Sequence, residues 1–123
     1  MKIKVCVVQD SPVFFDKEKT IQKIVKLTIE YAGQGCQLIV FPESFIPGYP
    51  RGFTFGTKVG SRTPEGRKLY ATYYENSLNI ESEDLKRLEQ LAKAQDVYLI
   101  VGVTEKNKTS GSLYCSLLYI SPI

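Results

Sequence analysis

"LIVFPESFIPGYPRGF", residues 38–53, opens as a short aliphatic run and breaks at Pro42 into prolines, glycines and aromatics set around one carboxylate, Glu43. The opening reads as a buried strand, and the residues after Pro42 fit neither helical nor strand periodicity. Its neighbours turn that strand into a fold. Upstream, residues 3–9 are β-branched and apolar enough for another buried strand, ended by Asp10, Ser11 and Pro12. Asp16 stands where it can cap a helix whose Ile21, Ile24, Val25, Thr28 and Ala32 recur on one face, and Gly33 and Gly35 supply its stop. With "QLIVF" at 37–41 as the second strand, the order strand, helix, strand with short connections predicts a parallel pair in an α/β layer.

Downstream, residues 42–63 carry Pro47, Pro50, Gly48, Gly52, Gly56 and Gly60 without periodicity. Irregular stretches of this length inside a compact domain usually carry function, and Phe45, Tyr49, Phe53 and Phe55 argue for order. Thr63 and Pro64 are a cap and first-turn residue for a helix over 65–75, with Leu69, Tyr70, Tyr73 and Tyr74 on one face. A further helix starts near Ser82, with Glu83 and Asp84 in its first turn and Leu85, Leu88, Leu91 and Ala92 as its buried stripe. "VYLIVGVT", 97–104, is apolar on both faces and reads as a central strand, with "LYCSLLYI", 113–120, as its antiparallel neighbour.

Composition narrows the function. A 123-residue chain with 43% hydrophobic and 24% charged residues fits one soluble domain, and its +3 charge comes from scattered lysines rather than the basic stripe of a nucleic-acid binder. The three cysteines are far apart and histidine is absent, which excludes a Ser-His or Cys-His pair and a zinc site and suggests a reduced, cytoplasmic setting. No apolar run has the length of a membrane span and no signal peptide is visible. Neither a Gly-x-Gly-x-x-Gly fingerprint nor a Walker lysine follows the first strand, so no nucleotide or other cofactor is expected. Glu43 remains, at the carboxyl end of a parallel strand where ligands collect; its bland alternative is a solvated strand-end glutamate. Cys115 alternates in step with Leu113, Leu117 and Tyr119 and reads as a small core residue, as does Cys6; Cys36, beside Gly35, reads as accessible. Glu105 is a second strand-end carboxylate, expected to pair with a nearby lysine.

"VFPESFIPGYPRGFTFG" (40–56) resembles the segment around the catalytic glutamate of the nitrilase family of carbon-nitrogen hydrolases, and Tyr-Pro-Arg-Gly at 49–52 is closer to true nitrilases than to the amidase or carbamoylase branches. "VCVVQDSPVFFDKEKTIQKI", "EGRKLYATYYENSLNI" and the hairpin around "GSLYCSLLYISP" resemble the family's flanking segments in the expected order. The resemblance implies that residues 1–123 are the amino-terminal half of an αββα sandwich, with a mixed, mostly parallel sheet and helices on one face. It implies conversion of a nitrile to a carboxylic acid and ammonia by a Glu, Lys, Cys triad through a thioimidate. Glu43 matches the general base, partly desolvated so that it accepts protons near neutrality, and Phe45, Tyr49, Arg51 and Phe53 match the loop lining the substrate pocket; simple packing is the other reading of these aromatics. The family's lysine and nucleophilic cysteine match nothing in this sequence, so the chain alone is expected to be inactive. It is expected to self-associate, or to pair with a missing carboxyl-terminal half, through strand 113–120 or an uncovered sheet face. The rival reading is a non-catalytic assembly or regulatory module built on the same half fold.

Overall fold

The computed structural model describes residues 1–57 and 62–123; of the irregular stretch, residues 58–61, Gly60 among them, lie outside the described residues. Four strands form one sheet in the order β1 (Val5–Val7), β2 (Leu38–Val40), β3 (Tyr98–Lys106), β4 (Leu113–Ile120). The first three are parallel, and β4 returns antiparallel to β3 with Thr104 opposite Cys115 and Leu99 opposite Ile120. The helices among the described residues are α1 (Lys17–Gly33), α2 (Pro64–Asn76) and α3 (Glu83–Gln95).

Local chemistry sets the helix ends. Asp16 accepts from the Lys19 amide through Oδ1 at 2.9 Å and Thr63 accepts from the Gly66 amide through Oγ1 at 3.1 Å, each satisfying a first-turn donor that has no intrahelical partner. The left-handed Gly35, at φ 85°, follows α1. The stripe expected for α1 is buried at Ile21, Ile24 and Thr28, and that of α3 at Leu88, Leu91 and Ala92.

These two helices cover one face of the sheet. Alternation along β3 sends Leu99, Val101 and Val103 into that layer, where they meet Ile39 of β2 and Ile120 of β4. The other face carries Val5, Val7, Tyr98, Leu117 and Tyr119, all exposed, with Val7 at 74% and Tyr119 at 73%. The strand expected over 3–9 is therefore shorter and less buried than its composition suggests. Only Val5–Val7 pairs, and its apolar side chains at 5 and 7 stand on the uncovered face of an edge strand. No helix among the described residues is long and apolar enough to cross a membrane.

Beyond β2 the chain leaves the sheet at Pro42 and returns to it. Ile46 donates to Gly102 and accepts from Thr104, and Leu78 then donates to Thr104 and accepts from Lys106. The upper half of β3 is thus edged by two single residues in place of a strand, and residues 42–45 bulge out where the sheet would otherwise continue. The Ile46–Pro47 peptide bond is cis.

Candidate active site

Glu43 lies on that bulge, at the carboxyl end of β2, one residue past the proline that stops the strand. Ser44, next in the chain, has a left-handed backbone at φ 46°, a conformation that a non-glycine residue adopts at a cost. The bulge sits directly on β3, because Gly102 has no side chain. A β-carbon there would stand 2.1 Å from the Pro42 carbonyl oxygen and 2.6 Å from the Glu43 α-carbon. The glycine inside the third strand is thus a close-approach position, and it fixes how far Glu43 stands from the sheet.

The Glu43 side chain is exposed, so the described residues do not supply the desolvation expected for it. Its neighbour is Cys115. The thiol donates to Glu43 Oε1 at 3.3 Å and lies 3.8 Å from Ser44 Oγ. The expectation of Cys115 as a core residue is overturned: it is exposed, because its row on β4 faces away from α1 and α3. Leu113, Cys115, Leu117 and Tyr119 do share a face, but it is the uncovered one. Cys36 is also corrected, since it is buried in the helix-side core, while Cys6 is half-buried beside it, where burial and the Cys36 thiol push its own thiol up.

Ser44 bridges the side chains of Cys115 and Thr104. Thr104 Oγ1 donates to Ser44 Oγ at 3.4 Å and lies 2.7 Å from the Tyr73 hydroxyl, which α2 delivers. Burial holds the Tyr73 phenol above its ordinary value. Glu105 takes no part. It extends from β3 in the opposite direction to Thr104 and accepts from Ser116 Oγ at 2.8 Å, rather than pairing with a lysine as expected.

The four loop residues separate by burial. Phe45 is buried against Phe41, with ring centroids 5.4 Å apart, which is the packing reading of that aromatic. Tyr49, Arg51 and Phe53 are exposed. Phe53 stacks on Phe14 at 5.6 Å and approaches Phe55 at 6.5 Å, while Phe55 stacks on Tyr73 at 5.7 Å. This aromatic cluster orders the irregular stretch and holds it to α2 and to the segment preceding α1. A cleft beyond it is lined by Phe55, Thr57, Arg67, Tyr70 and Gly111, and Glu43 is not among its walls. No group of three or more metal-ligating side chains occurs among the described residues.

A mixed, mostly parallel α/β sheet covered on one face, with a carboxylate on a bulge at the strand ends, defines a class that the relatives make specific. The family model for carbon-nitrogen hydrolase matches residues 4–122, and the chain belongs to that family. An aliphatic nitrilase of Sinorhizobium fredii (strain HH103) is 41% identical over 121 residues, 98% of this chain and 39% of the relative. Nitrilase 1 of Arabidopsis thaliana is 40% identical over 120 residues, 98% of this chain and 34% of the relative. The chain therefore spans between a third and two fifths of the length of these nitrilases. Among solved structures, an amidase from Nesterenkonia sp. superposes with a TM-score of 0.67 at 16% identity, over 98% of this chain and 38% of that one. That likeness establishes the half-covered sheet as part of the carbon-nitrogen hydrolase fold.

Proposed function

We propose that this chain carries the general base of a nitrilase-type hydrolase that converts a nitrile to a carboxylic acid and ammonia, with Glu43 taking the proton from a cysteine thiol supplied by sequence outside residues 1–123. The observation that carries the reading is the position of Glu43. It is a carboxylate without an ion pair among the described residues, held on a proline-started bulge against Gly102, in a segment that matches nitrilases at about 40% identity. A carboxylate there can accept the thiol proton as carbon-sulfur bond formation begins and can later deprotonate the water that resolves the thioimidate. Its exposure fits an incomplete site: the uncovered face of the sheet, on which Cys115 and Leu117 lie, runs up to Glu43 and is the place for the groups that withdraw it from water. In this reading Tyr49, Arg51 and Phe53, exposed on the same loop, line the entrance of the completed site, while Phe45 is packed against Phe41.

Ammonia release from a panel of aliphatic and aromatic nitriles tests this. Residues 1–123 alone should give none, while the polypeptide that also supplies the family's lysine and cysteine should turn over. Glu43→Gln, which keeps shape and removes the proton acceptor, should lower kcat by about a thousandfold. Undiminished turnover by Glu43→Gln rejects the assignment. The rival reading, an assembly module, draws on the open apolar face; if the longer polypeptide folds and gives no ammonia from any nitrile, that reading takes its place.

A further inference from the structure

We propose that Cys115 is a positioning residue for Glu43, the last link of a side-chain hydrogen-bond chain that begins at Tyr73 and passes through Thr104 and Ser44; the inference rests on the reading of Glu43 as the general base. The links measure 2.7 Å from Tyr73 to Thr104, 3.4 Å from Thr104 to Ser44, 3.8 Å from Ser44 to Cys115 and 3.3 Å from Cys115 to Glu43 Oε1.

The polarity of the chain is set by its end. An ionised carboxylate only accepts, so the thiol must donate to it. With its proton so committed, the Cys115 sulfur can only accept, and Ser44 donates to it. Thr104 then donates to Ser44, and Tyr73, the one phenol, donates to Thr104. All four protons point toward Glu43, and hydrogen bonds aligned in one direction polarise and strengthen one another. Four elements contribute: Tyr73 comes from α2, Thr104 from β3, Cys115 from β4, and Ser44 from the bulge itself. Thr104 and Tyr73 are buried, so the inner end of the chain is rigid, whereas Cys115 and Glu43 are exposed. The chain therefore transfers the order of the packed sheet to a carboxylate that has no other side-chain partner among the described residues. A bare Glu on an exposed bulge samples several rotamers; one whose Oε1 is held by Cys115 keeps its other oxygen free and aimed at one place.

The test uses the full polypeptide that carries these residues, with nitrile hydrolysis followed through kcat and KM separately and thermal unfolding measured alongside. Cys115→Ala should lower kcat about tenfold or more with KM unchanged, as expected when a catalytic group is misaimed and substrate binding is untouched. Cys115→Ser, which keeps a donor at that place, should restore most of the loss. Thr104→Val and Tyr73→Phe cut the chain further from Glu43 and should give smaller losses in kcat of the same kind; they carry the test if Cys115→Ala does not fold. Wild-type kcat in Cys115→Ala, with Glu43→Gln inactive, overturns the positioning role and leaves the base assignment standing. So does equal loss in Cys115→Ala and Cys115→Ser. Full activity in Glu43→Gln, or no nitrile hydrolysis by the wild-type polypeptide, overturns both.

Discussion

At the scale of single residues, the site depends on what Gly102 lacks. Its α-carbon faces the Pro42 carbonyl and the Glu43 α-carbon, both backbone atoms that cannot rotate away. Gly102→Ala should cost about 2 kcal/mol in urea unfolding, the usual range for overpacking, and should also move the bulge that carries Glu43. The expected pair of outcomes is a lower unfolding midpoint and a larger proportional loss of nitrile turnover than the stability change explains. Glu43 is legible as a candidate because strand, proline and carboxylate stand next to one another in the chain. Cys115 is legible only by row: alternation tells which side chains share a face and is silent on which face a helix covers. The register of β4 on β3, which places Cys115 opposite Thr104, settles that. Tyr73 and Ser44 have no signal of their own, since their roles come from contacts 31 and 60 residues away from Thr104 in sequence.

At the scale of elements, the helices are legible because their ends are chemically local. Asp16 serves the Lys19 amide three residues on, and that hydrogen bond, ahead of its ion pair with Lys19, holds the Asp16 carboxyl below its ordinary value. Asp10 and Glu18 are likewise lowered, chiefly by hydrogen bonds from Lys23 and Arg87. A carboxyl depressed in the folded state stabilises the fold above its unfolded value, near 4, and that contribution disappears as pH falls through the lower folded value. Stability should thus be flat from pH 7 to about 5 and decline below that; in Asp16→Asn, which can still cap, the decline of Tm between pH 5 and 3 should be shallower. Helix α1 also contains a defect. Thr28 is fully buried and its hydroxyl oxygen has no hydrogen-bond partner among the described residues. Thr28→Val replaces that oxygen by a methyl of nearly the same size and should raise stability by about 1 kcal/mol, measured by urea unfolding; a loss would mean the hydroxyl is satisfied after all. Residues 42–57 are legible only as non-repetitive and rich in aromatics, because the partners that order them, Phe14 and Tyr73, lie in other parts of the chain.

At the scale of the whole molecule, the sheet is finished on one side only. Ile39, Val101 and Val103 are buried under α1 and α3 at 0% exposure, while Val5, Val7, Leu117 and Tyr119 stand on the other face with nothing described above them. Loop closure and helix capping do not require that second face to be covered, so the half fold is locally consistent and globally unfinished. The chain's share of its nitrilase relatives, 39% and 34% of their lengths, agrees with a fold whose second layer is contributed by other sequence. An uncovered apolar face adjoining the edge strand β4 favours association through face and edge together. Residues 1–123 expressed alone should therefore sediment as concentration-dependent oligomers. Replacing Leu117 and Tyr119 together by glutamate should shift them toward monomer, because both side chains leave the sheet on the open side and neither supports the helix-side core. The same pair of substitutions in the polypeptide that completes the family fold should be destabilising, since there the face would be covered and two charges would be buried without partners. Opposite responses of the short and long chains to one double substitution would identify this face as an interior surface; a short chain that sediments as a monomer before any substitution would show that it is not.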